Sequence, residues 1–336
     1  MEHIYPSYYK DFHCIADRCP DSCCHEWDVQ IDAATAQRYR QLEGDLGAAL
    51  RDAMYEQDGD TYLRNQDDRC PMWQKDGLCR VQCALGHDAL SQVCQEFPRI
   101  RQDYGSFIEH GLEMSCPEAA RLMLTAEDWT LSAETASGSE APEYDEEVMA
   151  VLKETRPAAF ALMRDADVPV NHRLALLLMY GYHVQAQIDG AEEMAFDSIA
   201  ALTEAKGFAG SPNLPALLSA FWGLEILTQR WRDTLAHPAP RPTWSEALCK
   251  LSQYGIYRYF YQAVSDYDLV CRIKFIVTAC IMVAYLGGGD TASQIACAQL
   301  LSKEIENDSV NMDALLDGAY TSPGLTDANL LALLLS

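Results

Sequence analysis

From Tyr144 onward apolar residues recur at three- and four-residue steps, as at Leu174, Leu177, Leu178 and Gly181, which marks one buried stripe of a helix. Reading starts and stops along that pattern predicts about eight helices, packed as an all-α bundle over residues 144–336. Thr243-Trp244-Ser245-Glu246 has the spacing of a capping box at one helix start. The longest apolar stretch, Phe275 to Leu286, covers twelve residues. A membrane helix needs roughly twenty, so this stretch reads as a core helix and no membrane span is expected. The run from Leu330 to Leu335 should be buried, either within the bundle or against another subunit. No fixed repeat period is visible, which argues against a solenoid.

The first 125 residues follow a different pattern, with weak periodicity and dense turn signals. Asp76-Gly77 predicts a hairpin between Met72-Trp73 and Leu78-Cys79-Arg80-Val81, and Tyr104-Gly105 a second one leading to Cys116-Pro117. Asp88 is placed to cap a short helix that carries Cys94 and ends at Phe97-Pro98. Between Arg121 and Lys153 there are eight acids and no base, around Ser137-Gly138-Ser139. That composition suits a linker, or more plainly a solvated loop followed by an acidic first helical turn. The expected fold is therefore mainly α. A small, irregular, cysteine-rich α+β metal domain with short hairpins (1–125) leads through an acidic linker or loop (126–143) to the helical domain (144–336).

Composition sharpens the class. With 49% apolar residues in 336, the chain has the makings of a sizeable core. Fifty acids against twenty-five bases leave a formal charge of −25, which disfavours nucleic acid and favours cationic partners. No basic segment leads into an apolar one at the start, so the expected compartment is the cytoplasm. The aromatic group Tyr254, Tyr257, Tyr259, Phe260, Tyr261 and Tyr267 could bind a sulfonium by cation–π contact, but such a helix is more often a core face.

The cysteines change the picture most. Nine of thirteen lie within the first 116 residues, at 14, 19, 23, 24, 70, 79, 83, 94 and 116, whereas Cys249, Cys271, Cys280 and Cys297 sit in apolar helical sequence and read as packing residues. In a reducing compartment dense thiols point to metal or redox chemistry rather than to disulfides. Cys14-x4-Cys19-x3-Cys23-Cys24 contains no C-x2-C knuckle, so zinc is less favoured than an iron–sulfur cluster, expected to be [4Fe-4S], whose separate iron corners tolerate irregular spacing. The C-x3-C-x2-C run of radical adenosylmethionine enzymes begins at Cys19 and Cys23 but fails at Glu26. Proline follows Cys19, Cys70 and Cys116, fixing the chain direction as it leaves each thiol.

These features resemble the flagellin lysine N-methylase family. The landmarks are Tyr5-Pro6, Phe12-His13-Cys14, Cys19-x3-Cys23-Cys24 with Trp27, Cys70-Pro71, Gly77-Leu78-Cys79, Leu85-Gly86, Cys94-x3-Pro98-Arg99-Ile100 and Ser115-Cys116-Pro117-Glu118. The resemblance covers roughly the first 125 residues. It implies Cys14, Cys19, Cys23, Cys24, Cys70, Cys79, Cys94 and Cys116 as the metal set, with Cys83 an extra of this chain and His25-Glu26 a departure. Beside these motifs, Trp27, Phe97, Arg99 and Glu118 are the candidates to line a substrate or cofactor pocket. The implied activity is methyl transfer from S-adenosylmethionine to lysines of flagellin or another lysine-bearing protein, by an enzyme carrying an iron–sulfur cluster. Eight thiols exceed the four that one cluster needs, leaving room for a second metal site, zinc or iron. No Gly-rich strand-to-helix fingerprint is present, since Gly287-Gly288-Gly289 follows an apolar helix and reads as its stop. No catalytic base is identifiable from sequence. The contrasting expectation is a non-catalytic metal module whose helical half serves as an adaptor or chaperone surface.

Overall fold

The computed structural model describes the whole chain except Trp27, Asp128, residues 137–142 and Glu193. It is mainly helical, with 59% of residues in helices and 11% in strands. From Glu146 on there are ten α-helices among the described residues. The surplus over the periodic pattern comes from residues 198–236. There Gly207, Gly210, Pro212 and Gly223 cut apolar sequence into the short helices Ser198–Phe208, Leu214–Trp222 and Gln229–Ala236.

Leu269–Leu286 is the central helix of the bundle. It is the one described helix long and apolar enough to cross a membrane, yet the fold buries 94% of it. Asp268 accepts the Cys271 N–H at its start, and Gly287 stops it before the left-handed Gly288. The glycine run is thus a helix terminus. Helices Val170–Ile188 and Glu246–Tyr259 press on it through glycines: a Cβ on Gly181 would lie 3.0 Å from Ile273, and one on Gly255 2.6 Å from Ile276. The C-terminal leucines form helix Asp327–Leu335, with Leu330 and Leu334 fully buried inside the bundle. Cys249, Cys271, Cys280 and Cys297 are all buried, as are Tyr254, Tyr257, Tyr259, Phe260 and Tyr261. Only Tyr267 of the aromatic group is exposed.

The N-terminal region contains two small sheets. The strands are β1 (Glu2–Pro6), β2 (Val29–Ile31), β3 (Met54–Gln57), β4 (Asp60–Leu63), β5 (Arg99–Asp103), β6 (Phe107–Leu112) and β7 (Leu131–Thr135). One sheet has the order β5-β6-β1-β7 and the other β2-β4-β3. β1 and β6 run parallel while the other pairs are antiparallel. The hairpin expected at Tyr104-Gly105 forms, with Arg99 opposite Leu112 and Gly105 left-handed. Within residues 126–143, β7 adds to the sheet edge; Ser137-Gly138-Ser139 lies outside the described residues. Asp145 caps the acidic first turn of helix Glu146–Arg164 through the N–H groups of Glu147 and Val148.

Three local expectations are corrected. Asp76-Gly77 does make a tight turn with a Trp73–Cys79 bridge, but the chain then enters helix Arg80–Leu85 instead of a second strand. Asp88 does not cap the Cys94 helix, Gln92–Glu96. That role falls to Asp32, whose carboxylate accepts the Gln92 N–H at 3.0 Å from sixty residues away while also capping its own helix, Ala33–Gln41. The capping box at Thr243–Glu246 does not form either, because Ser245 is drawn to Gln294 and Glu246 to Arg173.

Burial falls into two clusters. The large one joins the bundle to Tyr8, Phe12, Phe107, Leu112, Met114 and Cys116. The small one gathers Val29, Ile31, Tyr39, Leu50, Leu63, Cys70, Met72, Val81 and their neighbours around the three-stranded sheet. A buried, bidentate Arg156–Glu109 pair (2.9 and 2.6 Å) fastens β6 to helix Glu146–Arg164, with the guanidinium 3.5 Å over the Tyr261 ring.

The glycine contacts generate a paired prediction. Alanine is favoured over glycine in a helix by about 1 kcal/mol, but overpacking a core costs about 1–3 kcal/mol. Gly255→Ala should therefore lower the urea midpoint at unchanged slope, whereas Gly207→Ala, with nothing within 4 Å of the new methyl, should raise it slightly. Equal midpoints for the two variants would refute the close-crossing account.

Candidate metal centre

The cysteine loop is polar and must be held from outside. After Phe12 the chain makes a 3-10 turn, Ala16–Arg18, and the Cys19 thiol reaches the Asp21 carbonyl at 3.2 Å. The Asp21 carboxylate is buried against helix Thr291–Ile305, where it accepts from Lys303 Nζ (2.9 Å) and Gln299 Nε2 (2.8 Å), and it also accepts from Arg230 (2.9 Å). Lys303 bonds Glu26 as well, at 2.7 Å. Gln299 donates in addition to the Ser115 carbonyl at 2.8 Å, beside Cys116. One helix of the bundle thus positions two cysteine-bearing segments. Burial alone would raise the Asp21 carboxyl, but Lys303, with Gln299 and Arg230, holds it below the usual carboxylate value.

All thirteen cysteines are free thiols. Cys24 takes hydrogen bonds from the Cys23 and Cys70 thiols, which pulls it far below the ordinary thiol range and pushes those two up. The Cys70 N–H also donates to the Cys24 carbonyl at 2.7 Å. Cys79 and Cys94 lie near enough to Cys24 to feel its charge, and Cys83 neighbours Cys79. Cys14 lies near enough to act on Cys19, and both act on Cys116, which, buried, is pushed up to about 12 by desolvation. Among the described residues no three Cys, His, Asp or Glu side chains stand ready-arranged as a ligand set. The donor chemistry nonetheless fits an iron–sulfur cluster, because free thiols are numerous here and no disulfide removes them.

A cleft of about 310 Å³ opens beside these thiols, lined by Cys23, Cys94, Val29, Val93, Phe97 and Glu113, with Asp28 and Asn307 also on its wall. Glu113 follows β6 directly, and its N–H is tied to the Pro98 carbonyl at 2.7 Å. Its carboxyl is raised by burial, a rise that Arg258 opposes and Glu306 reinforces. Of the pocket candidates, Phe97 lines the cleft. Arg99 lies away from it, its guanidinium 5.2 Å over the Phe12 ring, and Glu118 is held in a bidentate pair with Arg121 at 2.8 and 2.6 Å. Trp27 lies outside the described residues. Sequence reasoning missed Glu113, which stands two residues before the Ser115-Cys116-Pro117-Glu118 landmark, and Lys303, which reads as a surface residue.

Over 130 residues the chain is 29% identical to the flagellar biosynthetic protein FliU of Salmonella muenchen, covering 37% of this chain and 77% of that one. It is 30% identical over 131 residues to the lysine-N-methylases of Salmonella choleraesuis and Salmonella typhimurium. The chain is similar to the lysine-N-methylases. The resemblance read from the cysteine landmarks is borne out by these relatives. The match takes in 37% of this chain and 32% of each lysine-N-methylase, about a third of their length. No family model and no solved structure matches the chain.

The clamp yields a prediction. Removing one partner of a buried ion pair costs roughly 3–5 kcal/mol, so Lys303→Met should lower the melting temperature and reduce metal per chain after anaerobic purification. A folded Lys303→Met protein with full metal content would show that the clamp does not place the thiols.

Proposed function

We propose that this protein is an S-adenosylmethionine-dependent, iron–sulfur-containing lysine N-methyltransferase acting on flagellin or another lysine-bearing protein. The observation that carries this reading is the cleft between the thiols and Glu113, in a chain similar to the lysine-N-methylases. Cysteines from the set at 14, 19, 23, 24, 70, 79, 94 and 116 would hold the cluster. Adenosylmethionine would supply the methyl group, and the cluster an iron able to anchor a ligand or pass an electron.

The chain's own residues meet the needs of a lysine. Val29, Val93 and Phe97 offer apolar walls for its four-carbon stem, and Glu113 offers a carboxylate for its amine. An ammonium has no lone pair, so it must lose a proton before nitrogen can bond to carbon. Glu113, raised by burial and by Glu306, is a better proton acceptor than an exposed glutamate. The charge of −25 favours approach of a lysine-rich surface.

Anaerobically purified protein, replete in iron and sulfide, should transfer label from methyl-labelled adenosylmethionine to flagellin lysines that peptide mapping locates. Glu113→Gln should reduce that transfer by about 10²-fold or more with metal content intact. Absence of label on flagellin and on other lysine-bearing proteins, from a cluster-replete preparation, would sink the proposal.

A further inference from the structure

The cysteines pack on two different cores. Cys24, Cys70 and Cys79 pack on the small buried cluster around the three-stranded sheet, and Cys116 belongs to the large one shared with the bundle. Chain topology explains the split. β1 and β6 are parallel, so the segments that follow them, one leading to Cys14 and Cys19 and the other to Cys116, leave the sheet at the same end. Gln299 then ties both together, holding Asp21 and the Ser115 carbonyl at 2.8 Å each.

The other four thiols are gathered by different means. Cys24 and Cys70 share a backbone hydrogen bond, the Trp73–Cys79 bridge folds Cys79 back toward Cys70, and Asp32 fixes the helix of Cys94 against the end of β2. Cys23 stands between the groups, in contact with Cys24 and near both Cys94 and Cys14. The first group has three sulfurs, and Cys23, which has Cys14 among its neighbours, is the one thiol of the eight left to complete it.

We propose that the chain holds two separate thiolate-bound metal centres, one on Cys24, Cys70, Cys79 and Cys94 and the other on Cys14, Cys19, Cys116 and Cys23. At least one is the iron–sulfur cluster; the second takes iron or zinc, both of which four thiolates satisfy. The inference rests on the metal-binding part of the proposed function and is independent of methyl transfer. It also gives the adjacent pair Cys23-Cys24 a role, as the covalent link between the two centres.

The test uses the full chain, expressed and purified without oxygen, with iron, sulfide and zinc measured on the same sample and the cluster followed by electron paramagnetic resonance. Cys79→Ser should remove one centre and leave the other's metal and signal at full intensity. Cys14→Ser should do the reverse, and the double variant should bind neither. Metal sufficient for one centre only, or loss of the same centre in both variants, overturns the proposal. Should a variant not fold, unaltered holoprotein treated with rising chelator and a thiol alkylator should expose the cysteines as two sets of four in separate steps. A single step exposing all eight refutes it. Two centres without flagellin labelling would remove the proposed activity and leave this inference standing; labelling by a one-centre protein would do the opposite.

Discussion

The placement of the Cys14–Cys24 loop on the bundle depends on a buried charge cluster in which Lys303 meets Asp21 and Glu26. The segment from Cys14 to Cys24 contains few large apolar residues, so packing alone gives it no fixed position on the bundle. Ion pairs do the fixing. Withdrawing Lys303 and Asp21 from water carries a penalty of several kcal/mol per ion. That penalty is offset only because the carboxylate has three donors and the ammonium two carboxylates. Such an arrangement adds little net stability but makes any other placement of the loop worse, since it would leave charges buried without partners.

The same logic recurs at the sheet. Arg156 and Glu109 are both buried and doubly hydrogen-bonded, so β6 has one favourable position on helix Glu146–Arg164. Through its parallel partner β1, that placement sets the exit points of the segments bearing Cys14 and Cys116. Two buried ion pairs, Arg156–Glu109 and Lys303–Asp21, therefore tie the segments bearing Cys14, Cys19 and Cys116 to the bundle.

What was legible in the sequence follows from the range of the forces involved. Most of the helices, the buried Leu330–Leu334 run and the Tyr104-Gly105 hairpin are set by neighbours a few residues apart, and they appear where periodicity and turn chemistry place them. The capping of the Cys94 helix by Asp32 joins residues sixty apart, so no pattern of neighbouring residues reveals it. Ser302-Lys303-Glu304 looks like a solvated face, yet all three are buried. Lys303 reaches the cysteine loop, while Glu304 accepts the backbone N–H groups of Leu227 and Thr228. Pattern reading assigns charge to the surface by default, and only tertiary partners reverse that. The thiols were visible because cysteine is rare and chemically specific, but their grouping is a property of the sheet topology.

The small cluster around β2, β3 and β4 raises a question of stability with a chemical answer. Among the described residues its buried set comprises eleven, two of them alanine and one Cys70. A core of that size supplies little beyond the entropy of ordering the chain around it. Domains with such cores are held by disulfides, metals or a larger neighbour, and the cysteines here are not bridged. Thiolate–metal bonds at Cys24, Cys70, Cys79 and Cys94 would close the loops between residues 24 and 94, coupling metal binding to folding of this unit. Val29 belongs to the same unit and lines the cleft, so the unit's order and the shape of the cleft would rise and fall together.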